Sequence, residues 1–125
     1  MGSYRELEIY QKSIDLAVEI YNLTRDFPYG EVYGITAQIR RCAVSISSNI
    51  AEGYSRGSTA DYIRFLYIAN GSLSELETQL VISHRLAYFD DLASYTNKIR
   101  HIRSMLSLLI IALKAKTDKF NSSDR

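Results

Sequence analysis

Apolar residues recur every three or four positions through four long segments of this chain, which is the spacing of one face of an α-helix. Among its 125 residues the only proline is Pro28, and no segment shows the two-residue alternation of a strand. A chain of this length buries about two thirds of its unfolded surface. The pattern predicts an all-α protein, an antiparallel up-down four-helix bundle in which residues 1–125 form a single domain.

The first predicted helix runs from Arg5 to Asp26 and ends before Pro28, whose ring disfavours continuation. Two apolar stripes lie side by side on it and cover about 200° of its circumference, roughly twice what one core face needs. The stripes are Leu7, Tyr10, Ile14, Ala17, Tyr21 and Thr24, and Ile9, Leu16, Ile20, Leu23 and Phe27. A single small bundle would leave part of this arc in water, which favours self-association.

The second predicted helix begins between Glu31 and Thr36 and ends at Gly53, which we expect to adopt the left-handed backbone of a C-cap. Its apolar stripe is Ile35, Ile39, Cys42, Ala43, Ile46 and Ile50. Ser58 then begins a third helix, with an acid three residues later to complete a capping box. This helix carries a further apolar stripe and extends to about Ala87.

Inside the third helix, Gly71 costs about 1 kcal/mol relative to alanine, and we interpret it as a point where another backbone approaches closely. A fourth helix follows Asp90 or Asp91 and keeps heptad spacing from Leu92 to Leu113. Between Met105 and Leu113 it is apolar almost all the way round, so burial on more than one side is expected. This segment also favours self-association.

The sequence contains no complete catalytic or metal-binding pattern. Residues 53–57, GYSRG, match the nucleophile elbow G-x-S-x-G, but that turn needs a preceding strand, and here a helix is predicted. His84 and His101 lack the glutamate three residues earlier that di-iron bundles use, and Cys42 lies on an apolar stripe. We therefore expect no enzyme activity, cofactor, metal or small-molecule substrate. A lone cysteine and the absence of a signal segment or membrane span predict a cytoplasmic protein.

Polar residues follow one edge of the apolar face on the second and third predicted helices. They are Gln38, Arg41, Asn49, Glu52, Arg56, Ser72, Glu75 and Gln79. In a hairpin that turns near Tyr54 to Arg56, Gln38 and Arg41 come beside Ser72 and Glu75, within reach of hydrogen bonds or an ion pair. Glu52 and Arg56, four residues apart, are spaced to brace the helix end. We interpret this edge as architectural, because half-buried polar groups need partners.

The motifs QIRR, SNIAEG, GS and ELETQL occur in this order between residues 38 and 80. With them the chain resembles the bacterial family of 23S rRNA intervening-sequence proteins over nearly its whole length. The resemblance implies a four-helix bundle assembled into a ring of five copies. It also implies a relation to basic accessory proteins of retroelement reverse transcriptases, and hence an association with RNA or a ribonucleoprotein.

The charge distribution gives this association limited support. The chain carries a net charge of only +1, although residues 1–37 hold three basic and six acidic side chains and residues 38–125 hold twelve and eight. The candidate nucleic-acid-binding residues are Arg40, Lys98, Arg100, Arg103 and Lys114. A ring would repeat their field around its circumference. Two functions therefore stay open: an oligomer that binds RNA or a ribonucleoprotein, and a protein-interaction scaffold that binds no nucleic acid.

Overall fold

Four α-helices and two short 3₁₀ turns make up the protein in a computed structural model that describes residues 2–123, with side chains described through residue 118. The helices are α1 (Glu8–Thr24), α2 (Ile35–Ser55), α3 (Thr59–Arg85) and α4 (Leu92–Ser123), and the 3₁₀ turns are Tyr4–Glu6 and Tyr29–Glu31. No strand occurs within residues 2–123. The all-α class and the four helices are confirmed.

The helix ends differ from the sequence prediction by a few residues. The chain around Arg5 forms a 3₁₀ turn, in which the Ser3 hydroxyl accepts a hydrogen bond from the Arg5 amide (3.2 Å), so α1 begins only at Glu8. At the start of α4, the Asp91 carboxylate accepts a hydrogen bond from the Ser94 amide (3.1 Å). Asp91 is therefore the acid that caps this helix.

Gly53 is not a C-cap, because α2 continues to Ser55 and the left-handed glycine of the turn is Gly57 (φ 80°). Gly53 instead lies against α3, where an added Cβ would stand 2.7 Å from the Cβ of Phe65. This glycine allows the close approach that we predicted at Gly71. An added Cβ at Gly71 would meet no atom within 4 Å in this chain, so that interpretation was wrong for the single chain.

The core is formed by one apolar face from each helix. Fully buried side chains include Leu16, Ile20, Ile39, Ile46, Ile50, Leu66, Leu73, Leu76, Leu80, Ile99, Ile102 and Leu106. On α1 the second predicted stripe, which contains Leu16 and Ile20, supplies the core, whereas Ile14 and Tyr21 of the first stripe remain exposed. Part of the wide apolar arc of α1 is thus in contact with water in a single chain, as expected.

Helix α4 extends beyond the core. At 1.5 Å per residue, its 32 residues span about 48 Å, against about 26 Å for the 17 residues of α1. Ile110 is the last buried residue among the side chains of α4 that the structure describes, and no side chain from 111 to 118 is buried. At the other end of the bundle, Phe27 contacts Tyr88 and Phe89, and the Tyr88 hydroxyl donates to Glu31 (2.8 Å).

Candidate interaction surfaces

A polar groove of about 270 Å³ lies between α2 and α3. It is lined by Gln38, Arg41, Cys42, Ser45, Ser72, Glu75 and Gln79. Five of the eight predicted polar-edge residues therefore meet in one place. They come from the QIRR, GS and ELETQL motifs, so the segments that carry the family resemblance converge on this groove.

Two contacts between α2 and α3 set the register of the groove. The hydroxyls of Ser45 and Ser72 are 2.9 Å apart, and the Cys42 thiol donates to the Glu75 carboxylate (3.5 Å). Burial, and then the contact with Glu75, raise the pKa of the Cys42 thiol. Arg41 forms no salt bridge with Glu75 or any other described side chain. The expected Arg41–Glu75 ion pair is absent: Glu75 contacts Cys42, the next residue on α2, and Arg41 is exposed.

The remaining polar-edge residues continue along α2 towards the turn. Asn49 donates from Nδ2 to the Ser45 carbonyl (2.8 Å) and to its hydroxyl (2.9 Å). Glu52 and Arg56 form a salt bridge of 3.0 Å, with both side chains about half exposed. Exposed pairs of this kind contribute about 0.3–0.5 kcal/mol. In the groove, the buried Gln79 Oε1 has no partner among the described residues.

Two of the candidate nucleic-acid-binding residues are neutralised by acids on other helices. Lys98 forms a salt bridge with Glu19 of α1 (2.9 Å). Arg103 forms one with Glu77 of α3 (3.0 Å) and donates further hydrogen bonds to Asn70 and Ser74. These side chains hold α4 against its neighbours. Their charge is therefore less available to phosphate than the sequence indicated.

The other three candidates keep an uncompensated charge. Arg40 donates to the Thr24 hydroxyl, and Lys114 donates to the Tyr67 hydroxyl (2.6 Å); both partners are neutral. Arg100 is exposed. However, Arg40 lies between α1 and α2, whereas Lys114 lies between α3 and α4. The five predicted basic residues therefore do not form one continuous surface within the described part of a single chain.

Exposed apolar side chains occur on all four helices, and on α1 and α4 they share one helix face and define two patches. The α1 patch consists of Ile14, Val18 and Tyr21, and the α4 patch consists of Leu108, 67% exposed, and Ile111, 62% exposed. Leu108 and Ile111 lie in the Met105–Leu113 segment from which self-association was predicted, whereas Val18 escaped the sequence prediction because it belongs to no core stripe. The sequence nevertheless contains the spacing that places Val18 in the patch. Val18 lies four residues after Ile14 and three before Tyr21, on one face of the helix.

The two patches are separated by polar side chains. Ile14 faces the side of α2, where it lines a groove with Val44. The groove between α1 and α4 is instead lined by charged and polar residues that include Lys12, Asp15 and Glu19. The molecule therefore presents two different apolar surfaces rather than one.

Within the described residues, no group of three histidine, cysteine, aspartate or glutamate side chains is arranged to hold a metal ion. None of the described helices combines the length and apolar character needed to cross a membrane. Ser55 of the GYSRG segment lies on α2 and donates to the carbonyl of Ala51 (2.9 Å). A helix thus stands where a nucleophile elbow requires a strand.

The four helices and their shared apolar core define an all-α protein of the helical-bundle class. The chain belongs to the 23S rRNA-intervening sequence protein family, whose sequence model matches residues 5–108. It is similar to a protein of unknown function from the S23 ribosomal protein family of Bacteroides thetaiotaomicron, known from its crystal structure. The two are 32% identical, the match covers 82% of this chain and 97% of that chain, and the TM-score is 0.74. No curated protein matches the chain.

Proposed function

We propose that this protein is a non-enzymatic, self-assembling interaction module of the cytoplasm. In this proposal the helices run in antiparallel up-down order, and the bundles associate into a ring, with five copies as the expected number. The observation that carries the proposal is the pair of exposed apolar patches on α1 and α4. Isolated exposed apolar residues are common, but apolar residues that share one helix face mark association surfaces.

The arrangement of the patches favours a ring over a two-fold dimer. A two-fold interface uses the same surface on both copies, whereas contact between two different surfaces is head-to-tail and forms a ring when the rotation between copies closes, or a filament when it does not. The α1 patch and the α4 patch are different surfaces separated by polar residues. Each isoleucine or leucine that becomes buried between copies would contribute about 1.5–3 kcal/mol.

Light scattering coupled to gel filtration tests this proposal directly. We expect a single discrete species of several copies at micromolar concentration. A monomer under these conditions would refute self-assembly. A dimer would refute the head-to-tail ring and favour a two-fold contact through one of the patches.

Association with RNA or a ribonucleoprotein is the second candidate function. It is favoured by the family's description and by the uncompensated charges of Arg40, Arg100 and Lys114. A ring would repeat these separate residues around its circumference and increase their combined field. The scaffold alternative, which binds only protein, needs none of these charges.

Filter binding of an rRNA fragment as a function of salt separates the two alternatives. RNA association predicts retention at about 50 mM salt and a steep loss as salt rises, because each neutralised phosphate releases counterions. Replacing Arg100 and Lys114 together with glutamate should abolish retention without loss of helix content, because neither forms a salt bridge with a described side chain. Lys12→Glu on α1 is the control and should retain RNA. An intact oligomer that retains no RNA at low salt would favour the scaffold.

A further inference from the structure

A cavity of about 270 Å³ opens where the end of α1, the following loop and the first turn of α2 meet. Its lining is Thr24, Arg25, Phe27, Pro28, Tyr29, Val32, Thr36 and Arg40. It is separate from the polar groove and from the α4 patch, and it adjoins the α1 patch where Arg40 contacts Tyr21. The lining combines two arginines, two aromatic rings and two threonines, and it contains no acidic residue.

Arg40 is held in place by contacts that leave part of its guanidinium free. Its Nε donates to the Thr24 hydroxyl (2.8 Å), and one terminal nitrogen donates to the Tyr21 carbonyl (3.4 Å). The group also lies over the Tyr21 ring, 4.6 Å from its centre. The other terminal nitrogen, Nη1, has no hydrogen-bond partner among the described residues. An arginine fixed in this way loses little freedom when it binds an anion.

Three further side chains of the lining supply a charge, a ring and a hydroxyl. Arg25 is exposed and forms no salt bridge with a described side chain. Tyr29 is 89% exposed, so its ring is open to stacking. Thr36 is only 4% exposed, and its hydroxyl has no hydrogen-bond partner. Threonine in a helix populates two χ1 rotamers, so this hydroxyl can turn towards a bound acceptor.

The acids nearest in sequence do not compensate the two arginines. Asp26 is exposed and lies outside the lining, and Glu31 accepts the hydrogen bond from Tyr88. The cavity therefore carries two positive charges beside an unpartnered hydroxyl. This set of donors suits an oxyanion, because guanidinium groups bind phosphate and carboxylate through paired hydrogen bonds.

We propose that the cavity binds a phosphate monoester attached to a planar ring, that is, a nucleoside monophosphate group. A dianionic phosphate matches the two arginines and presents enough oxygens to accept from Arg25, Arg40 and Thr36 together, whereas a carboxylate has two oxygens and a single charge. The exposed Tyr29 ring then stacks on the base, as aromatic side chains do with any base. The proposal shares Arg40 with the RNA candidate but does not require RNA binding.

Isothermal titration of the intact protein with inorganic phosphate, adenosine and adenosine 5′-monophosphate tests the assignment. We expect the monophosphate to bind more tightly than phosphate or adenosine alone. Arg25→Gln should weaken its binding by about tenfold or more, because a charge-assisted contact is lost. Arg41→Gln is the matched control, since Arg41 is also an exposed arginine but lies in the other groove. Arg25 is exposed, so its replacement should leave the melting temperature unchanged.

Two short RNA strands that differ only in the presence of a 5′-phosphate distinguish a strand end from a free nucleotide as the source of the phosphate group. Tighter binding of a 5′-phosphorylated trinucleotide than of adenosine 5′-monophosphate identifies a strand end as the ligand. The reverse order identifies a free nucleotide. Absence of binding by all these ligands up to about 10 mM would overturn the proposal. Equal binding by the parent and Arg25→Gln would also overturn it.

Discussion

Ile110 and Ile111 are adjacent on α4 but face opposite environments, and this contrast provides a sharp test of assembly. Ile110 is 7% exposed and packs in the core, whereas Ile111 is 62% exposed in the α4 patch. Replacing a buried isoleucine by alanine already lowers stability by about 2–5 kcal/mol. Ile110→Glu loses the same buried side chain and in addition places a carboxylate in the core. Since domains are stable by only about 5–15 kcal/mol, we expect this variant to be largely unfolded.

Ile111→Glu should have almost no effect on the fold of one chain, because exposed substitutions change stability by about 0.5 kcal/mol or less. If Ile111 is buried between copies, each interface loses about 2 kcal/mol, which weakens every contact roughly 30-fold. Because a ring carries the substitution at every interface, it should dissociate to folded monomers at micromolar concentration.

Light scattering and thermal circular dichroism are measured together for the parent, both isoleucine variants and Leu86→Glu. Leu86 is an exposed leucine at the end of α3, outside both patches, and it is the control for adding a charge to an apolar surface position. We expect Ile111→Glu alone to be monomeric with a near-parental melting temperature. An Ile111→Glu variant that keeps the parental mass would show that the α4 patch is not an interface.

Three further predictions follow from the contacts between α2 and α3. Gly53→Ala should lower the free energy of unfolding by about 1–3 kcal/mol, because its Cβ would overlap α3. Gly71→Ala should raise it by about 1 kcal/mol, because the added Cβ meets no atom and alanine is the better helix former. Equal effects of the two substitutions in urea denaturation would contradict this packing. In the same assay, Ser72→Ala should lower the free energy of unfolding by about 1 kcal/mol and Arg41→Ala by less than about 0.5 kcal/mol. The opposite order would indicate that Arg41 is paired with Glu75. The Cys42 thiol should react with iodoacetamide more slowly at pH 8 than a free cysteine, because burial raises its pKa. The contribution of the protonated Cys42 thiol to folding stability should be constant below the ordinary pKa of 9.0 and should be lost as pH rises through the raised pKa of the folded state. Rapid alkylation of the folded protein would contradict the raised pKa.

The sequence was sufficient for the helices and the core, because both depend on periodicity along the chain. The sequence was insufficient to predict the roles of Gly53 and Gly71. The role of Gly53 depends on Phe65, which faces it from the next helix, and no local pattern reports that distance. The apolar spacing of α2 ends near Gly53, so a cap was the natural interpretation. The helix nevertheless continues for two more residues because the turn is made at Gly57.

The candidate surfaces were predictable in residue type but not in partners. Polar residues on one edge of two successive helices predicted that Gln38 and Arg41 lie beside Ser72 and Glu75, and all four line one groove. The partner of Glu75 was not predictable, because Arg41 and Cys42 are adjacent on α2 and only the three-dimensional packing shows that Cys42 makes the contact. The basic residues of α4 appeared free because the acids that neutralise them, Glu19 and Glu77, lie on helices far away in sequence.

The reach of α4 beyond the core also determines how its backbone amides should exchange with solvent. Past Ile110 its hydrogen bonds are supported by few buried side chains, and an isolated helical segment of this length is marginally stable in water. In a monomer these amides should therefore exchange through local opening that costs far less than global unfolding. Contact with a neighbouring copy would slow their exchange while leaving the amides of α2 and α3 unchanged. The last turns of α4 thus act as a built-in reporter of whether the protein is assembled.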